Sequence, residues 1–252
     1  MRPAQIRVCK MKKEFLICNL RKIISVCLLL FVLKNISAET TNFQFGVKGG
    51  LNLSTALVND AAAIKFKPGC HIGGTVDYLF TPKFALQSGL FFSKQGSKID
   101  GLHSGNYAGG SPDYTYIFDA FYLKLPLYTT FRRSISNSLN IHIGFGPYFG
   151  YGVGGKTKKI LNSGMYSDGS TEIKWDTFGD GSYDKESYWL RGKTLKQFDF
   201  GAGVNVDMLY NKFLFGIGLE SGIIDIMKDE YGFGQNLWYR NINIAISIGY
   251  RF

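Results

Sequence analysis

The sequence predicts an all-β protein, an eight-stranded antiparallel up-and-down transmembrane β-barrel. Three observations predict it: apolar and polar residues alternate with a period of two in eight stretches, short and long connections alternate between these stretches, and the polar positions are rich in glycine. Because successive side chains of a strand point to opposite faces, each stretch is a strand with one apolar and one polar side.

In each of the first four strands, apolar and polar residues occupy positions of opposite parity. NFQFGVKGGLNLS at 42–54 has its apolar residues mainly at odd positions, and CHIGGTVDYLF at 70–80 has them mainly at even positions. KFALQSGLFFSKQ at 83–95 places most of its Phe and Leu at even positions, whereas FYLKLPLYTTF at 121–131 places them at odd positions. Each stretch therefore has one apolar face.

The last four strands repeat the pattern. LNIHIGFGPYFGYGV at 139–153 and FLFGIGLESGI at 213–223 are apolar at odd positions, with Gly, Asn, His and Glu between them. QFDFGAGVNVDM at 197–208 and the terminal NINIAISIGYRF at 241–252 are apolar at even positions. We find no convincing helical pattern after residue 38.

The connections predict how the strands are arranged. Short connections near 80–84, 132–138 and 209–213 alternate with long ones, rich in Gly, Ser, Asn and Asp, near 55–68, 96–115, 154–194 and 224–238. In an up-and-down barrel this puts the tight turns and both termini on one rim and the long loops on the other.

The polar face favours a membrane barrel over a soluble one. Thirteen of its positions are glycine, which suits a narrow interior better than a water-facing surface. The apolar face carries aromatic residues near strand ends, as membrane-interface girdles do. A soluble lipocalin-like carrier, with apolar residues inside, is the alternative. We expect the charged residues of the polar face to form a lumen network in a closed, plugged barrel: Lys48, Asp77, Lys124, Asp199, Asp207, Glu220 and Arg251.

Residues 1–38 are predicted to be a signal peptide, followed by the barrel domain at 39–252 with strands from about Thr41. A basic segment precedes the apolar run IISVCLLLFVL at 23–33, which is too short to span a bilayer as a helix. A short membrane anchor is the alternative, and translation could start at Met11.

The charge of the chain does not predict a nucleic-acid partner. The formal net charge is +10, but residues 1–38 hold eight of the 29 basic residues and one of the 19 acidic ones, so the exported part carries about +3. Three of the four cysteines also lie in this leader. Cys70 alone remains, which excludes an intramolecular disulfide and a cysteine-based metal site.

Six motifs in order resemble one family across nearly the whole exported chain. They are FGVKGGLNLS, PKFALQSGLFFSKQG, FYLKLPLYTTFR, IHIGFGPYFGYGV, FDFGAGVNV and the closing SIGYRF. Together they resemble the PorT-type outer membrane β-barrel family, whose members are similar to OmpX and OmpA barrels. The resemblance implies an integral protein of the bacterial cell outer membrane, inserted by the barrel assembly machinery. It implies little about activity, because one fold carries many roles.

Catalysis and metal binding are not predicted. His71 and His142 lie on the inward parity, where Asp77 or Asp199 could orient His142, with Ser88 or Ser93 as nucleophile. We expect these residues to satisfy one another inside the barrel, and an outer-membrane lipid-modifying enzyme is the alternative. Three aspartates of the longest loop are spaced four apart: Asp176, Asp180 and Asp184. This spacing does not follow the pattern of a calcium-binding loop, so we expect no metal or cofactor.

The longest loop is the predicted contact region. STEIKWDTF at 170–178 and SYWLRGKTL at 187–195 could extend the barrel as a hairpin above the membrane. Its aromatic residues are candidate contacts for an unidentified extracellular or envelope partner: Trp175, Tyr183, Tyr188 and Trp189. The alternative is a solvated or lipopolysaccharide-facing loop. We therefore expect a structural or adhesive role.

The last strand ends the chain on an aromatic residue. Its edge must pair with the first strand, because no open sheet edge is tolerated in hydrocarbon. Tyr250 and Phe252 resemble the insertion signal that barrel assembly reads in its clients. The outer-membrane lipid, including lipopolysaccharide, is the other expected partner.

Overall fold

A computed structural model describes residues 42–59, 63–103, 113–163, 172–179, 194–228 and 238–252. Nine strands cover most of them: β1 (Phe43–Val58), β2 (Ala63–Thr81), β3 (Phe84–His103), β4 (Asp113–Ser134), β5 (Leu139–Ser163), β6 (Glu172–Asp176), β7 (Phe198–Tyr210), β8 (Phe213–Gly222) and β9 (Tyr239–Arg251). The described segments contain no helix long and apolar enough to cross a bilayer.

Eight of the strands close into an antiparallel barrel. Each pairs with the next in chain order, β5 pairs with β7, and β9 returns to pair with β1 along the seam from Gly46–Arg251 to Val58–Tyr239. β6 is a short ninth strand that pairs with the upper part of β5, above the residues of β5 that pair with β7. The predicted eight-stranded up-and-down barrel is confirmed, with one added strand.

The strands are strongly tilted. Following paired residues once around the barrel from Phe43, through Thr129 on β4 and Val204 on β7, leads back to β1 at Leu53, ten positions further along. With ten positions of stagger over eight strands, the tilt is about 40°. Each residue then rises roughly 2.5 Å along the barrel axis.

The exterior carries a continuous apolar belt. Phe131 and Leu123 on β4, and Ile248 on β9, are 39% to 65% exposed, although they are large apolar residues. On β4 the belt runs from Phe131 to Phe121, a rise of roughly 25 Å, which matches the apolar band of a membrane barrel. Rings of Phe and Tyr stack at both edges, for example Phe92 on Phe121 with centroids 5.6 Å apart. The outward apolar face excludes the soluble lipocalin-like carrier.

The tight turns share one rim, as predicted, but the strands are longer than predicted on the other. β2, β3, β4 and β5 continue into the segments predicted as long loops at 55–68, 96–115 and 154–194. The barrel therefore extends above the apolar belt as a paired wall.

A bulge in β5 marks the level where this extension begins. Phe121 pairs with Gly154 and Tyr122 with Gly152, so Val153 is an extra residue. Gly155 has a φ of 155°, and a Cβ there would meet the Asp119 carbonyl oxygen. The extra residue exchanges the inward and outward parities of β5 above this point.

Candidate functional site: the barrel lumen

The lower lumen holds two ion pairs that join non-adjacent strands. Lys48 on β1 donates to Asp207 on β7 at 2.7 Å, and Arg251 on β9 donates to Asp77 on β2 at 2.5 Å. The side chains are at most 12% exposed. Each of these buried carboxylates therefore has a cationic partner, and an unpaired charge at the same place would be very costly in free energy.

A third ion pair lies further up. Lys124 Nζ on β4 donates to Glu220 Oε2 on β8 at 2.5 Å and lies 4.1 Å from the centre of the Tyr148 ring. Glu220 also accepts hydrogen bonds from Asn243 Nδ2 at 3.0 Å and from the Tyr128 hydroxyl at 3.4 Å. The lysine is therefore held by a carboxylate and an aromatic face.

Asp199, the last of the predicted lumen charges, is held by neutral donors. Its Oδ2 accepts from Asn241 Nδ2 at 2.9 Å and from the Tyr148 hydroxyl at 3.2 Å. Tyr148 can reach into the lumen here because Gly201 lies beside it on β7: a Cβ at Gly201 would come 2.5 Å from the ring. Glycine on the inward parity thus makes room for large polar side chains.

An apolar cluster fills the lumen above these charges. It joins the inward faces of β4 and β9 to β6 and to the segments that follow β6 and β8, and its buried members include Tyr116, Phe118, Tyr122, Trp175, Phe178, Leu195, Ile226, Met227 and Tyr239. Leu195 and Met227 pair as an isolated bridge inside it. We call this set the upper plug. The upper plug was not predicted from the sequence, although three of its aromatic residues share the inward parity of Lys124 on β4.

His142 is not joined to the acids and serines considered for catalysis. Its Nε2 accepts from Arg132 Nε at 3.2 Å, and its Nδ1 lies 3.5 Å from Arg251 Nη2. Ser88 donates to the Pro126 carbonyl oxygen, and Ser93 contacts Asn52. The described geometry therefore does not bring these groups together as a nucleophile and base.

His71 instead belongs to a relay that sequence reasoning did not assemble. Asn52 Oδ1 lies 2.6 Å from His71 Nδ1, and Ser247 Oγ lies 3.0 Å from His71 Nε2. Asn52 uses its amide nitrogen to donate to Ser93 Oγ at 2.9 Å, which leaves its oxygen to accept from the imidazole. Ser247 can then donate to Nε2.

A small cavity opens beside the relay. It has a volume of about 80 Å³ and is lined by both members of the Lys124–Glu220 pair, by Lys48 and by the relay. This is room for a few water-sized molecules.

The longest loop is described in part. Trp175 lies on β6, is 9% exposed and meets the Tyr116 ring edge-on at 6.2 Å. Trp175 packs in the upper plug and is not exposed. The prediction that it contacts a partner at the surface is therefore wrong. Tyr183, Tyr188 and Trp189 lie outside the described residues, as do Asp180 and Asp184. Within the described segments no group of three His, Cys, Asp or Glu could hold a metal ion.

The predicted insertion residues lie at the lower rim beside the seam. Tyr250 contacts the rings of Phe213 and Phe252 edge-on at 5.6 and 5.8 Å. The Phe252 amide donates to the Phe45 carbonyl oxygen at 3.0 Å. The chain end is thus tied to the first strand.

Comparison with known proteins agrees with this architecture. The sequence model of a family described as outer membrane protein beta-barrel domain matches residues 35–228. No curated protein matches the chain significantly.

Several solved structures align over most of the chain. OprG from Pseudomonas aeruginosa is 14% identical, with 83% of this chain and 95% of that chain covered and a TM-score of 0.43. Ail of Yersinia pestis, in complex with the heparin analogue sucrose octasulfate, is 11% identical, with 83% and 99% covered and a TM-score of 0.41. Neisserial surface protein A is 9% identical, with 82% and 97% covered and a TM-score of 0.37.

Proposed function

Because the chain belongs to the outer membrane protein β-barrel family, we propose that it is an integral protein of the bacterial cell outer membrane, with a closed lumen and a structural or surface-interaction role carried by its long extracellular loops. The observation that carries this proposal is the upper plug above three cross-lumen ion pairs.

Two layers of different chemistry support a closed lumen. An ion that entered from below would meet paired charges that already satisfy one another, and an ion from above would have to cross packed aromatic side chains at a high desolvation cost. Tyr122 links the layers, since it packs edge-on against Phe178 in the plug and lies 3.4 Å from Asn241 Nδ2 in the polar layer.

Conductance in planar lipid bilayers tests the closed lumen. We expect no steady porin-like current from the purified barrel. The double variant Tyr122→Ala and Tyr148→Ala removes two large rings from the lumen and should conduct. Tyr151→Ala removes the same side chain from the lipid-facing side, where Tyr151 is 52% exposed, and should stay closed. Steady current from the unaltered protein would refute the proposal.

The finer family assignment and the export route belong to the same proposal. We propose a PorT-type barrel on the strength of the six motifs, exported through cleavage after residue 38 and inserted by the barrel assembly machinery. Sequencing the amino terminus of the protein from membranes tests the cleavage. A mature chain that still carried residues 23–33 would support a membrane anchor instead.

The loop role rests on three aromatic residues beyond β6, namely Tyr183, Tyr188 and Trp189. Aromatic side chains dominate contact energies at protein interfaces. We propose that they contact an extracellular or envelope partner. Crosslinking in intact cells from a photoreactive residue at position 188 should yield a protein adduct that is lost on Trp189→Ala. Adducts with lipopolysaccharide alone would favour a lipid-facing loop.

The relay at Ser247 favours a second candidate function, hydrolysis of a small ester within the lumen. A serine that donates to a histidine held by an asparagine is the arrangement of an activated nucleophile. Because the barrel wall separates the relay from the bilayer, it does not suit a membrane lipid as substrate. A fluorophosphonate should label the folded protein and not Ser247→Ala, whereas equal absence of labelling in both would exclude this function.

A further inference from the structure

The outer wall above the apolar belt carries a repeated charge arrangement. On β2 to β6, three carboxylates each lie between two lysines: Lys65–Asp100–Lys98, Lys67–Asp119–Lys94 and Lys158–Glu172–Lys174. In each group one amine lies 2.6 to 2.9 Å from the acid and the other 3.2 to 3.7 Å. We call these groups the three lysine triads.

The triads leave positive charge on the surface. Each has two cations for one anion, and the lysine side chains remain 20% to 59% exposed. Exposed Lys156 adds a cation and exposed Asp176 an anion, so seven lysines face four acids. This excess of three equals the net charge of residues 39–252. Hydrogen bonds from Lys158 and then Lys174 hold the pKa of the Glu172 carboxyl below its ordinary value, so the acid stays ionised.

The lowest triad lies at the top of the apolar belt, where lipid headgroups meet the barrel, and the other two lie above it. Lys94 has the same outward parity as Phe92 and lies 6.0 Å from the Phe121 ring, at the top of the apolar belt. Lys98 and Asp100 continue upward on the same face of β3. An occupant of this wall must have acyl chains that cover the aromatic rings and anionic groups that reach the lysines.

We propose that the three lysine triads bind the phosphate groups of the phosphorylated glycolipid, lipopolysaccharide, in the outer leaflet. The carboxylate of each triad holds two ammonium groups close together, and ammonium groups donate charge-assisted hydrogen bonds to phosphate oxygens. The long-loop rim faces outward in a barrel of this topology, which places the triads in the leaflet that contains this lipid.

The test uses a variant that keeps the closer lysine of every triad. Lys94→Gln, Lys98→Gln and Lys174→Gln together remove the longer contact from each acid and reduce the excess charge from three to zero. The control Lys83→Gln, Arg133→Gln and Lys212→Gln makes the same charge change at exposed positions of the opposite rim. Both variants must show the heat-dependent electrophoretic shift of a folded barrel in phosphatidylcholine.

The measurement is thermal unfolding of the membrane-inserted protein in phosphatidylcholine vesicles with increasing bisphosphorylated lipid A. We expect lipid A to raise the unfolding temperature of the unaltered protein and the control. For the triad variant the apparent affinity should fall on the order of 100-fold, about fivefold for each lysine. If the triple variant does not fold, Lys98→Gln alone should lose about fivefold.

Three outcomes would overturn the proposal. Equal affinities of the triad variant and the control would show that the lysines do not bind the lipid. Equal stabilisation by dephosphorylated lipid A would exclude the phosphate groups. Equal stabilisation by phosphatidylglycerol at the same charge would show that any anionic phospholipid suffices and that the wall is not built for the glycolipid.

Discussion

Replacing Lys124 by Met should destabilise the barrel through the carboxylate that it leaves behind. Glu220 would lose its 2.5 Å partner and keep only neutral donors, Asn243 and Tyr128. Removing one member of a buried ion pair costs about 3 to 5 kcal/mol. Because Glu220 is 19% exposed and borders a cavity with room for water, we expect the lower end, about 3 kcal/mol.

The coupling between the two residues gives the sharper measurement. Glu220→Gln should cost about 2 kcal/mol, since Lys124 keeps the Tyr148 ring and an amide oxygen. The double variant Lys124→Met and Glu220→Gln has no buried charge at this site and should lie within about 2 kcal/mol of the unaltered protein. The double-mutant cycle should then give a coupling energy of about 3 to 5 kcal/mol.

Urea unfolding in phospholipid vesicles, followed by tryptophan fluorescence, is the assay. Lys83→Met, in an exposed turn, is the matched control and should change the unfolding free energy by about 0.5 kcal/mol or less. If the two single costs simply add in the double variant, the ammonium and carboxylate do not stabilise each other. The ion-pair account of the lumen would then be wrong.

Three further predictions test the seam and the membrane face. Deleting residues 250–252 removes the Arg251–Asp77 ion pair and the Phe252 contact with β1, so the membrane fraction should contain no heat-shifting barrel; normal yield would contradict the insertion role. Ile246→Arg, at the middle of the belt, should cost about 2 to 4 kcal/mol in vesicle unfolding and Phe198→Arg, near its upper edge, about 1 kcal/mol or less; equal costs would place the belt elsewhere. Cys70, exposed on the lipid side, should resist a charged maleimide in intact vesicles and react in SDS, and rapid labelling before SDS would show that this face meets water.

The alternation of residues was sufficient to predict the membrane-spanning part of the fold. From 42–54 through 241–252, every predicted strand lies within or almost within an observed one, because lipid on one side and a polar lumen on the other impose a strong contrast between parities. The inward glycines and charges follow from the same contrast. The contact partner of each charge does not follow from this contrast, because pairing across the lumen depends on the stagger of strands that are distant in sequence.

The strand extensions were not predicted, because the contrast between apolar and polar parities is weaker above the belt. In the upper part of β3, outward Lys98 alternates with inward Ser97 and Ile99, and in the upper part of β5, outward Lys158 alternates with inward Thr157 and Lys159. Polar residues on both parities resemble a loop in sequence. Nothing local indicates that Leu195 or Met227 folds back into the barrel, since both lie in irregular segments.

The upper plug and the outward belt are two consequences of one change of solvent along the barrel. On β4 the apolar residues face outward up to Phe121, and above that level Phe118 and Tyr116 face inward while Asp119 pairs with lysines outside. Below this level the low-dielectric medium is outside and polar groups must be satisfied within; above it water is outside and the interior must be apolar to be stable. β5 makes the same exchange by inserting Val153. The barrel is therefore a membrane protein below Phe121 and a water-soluble barrel with its own core above it, and that core lies directly above the ion pairs of the lumen.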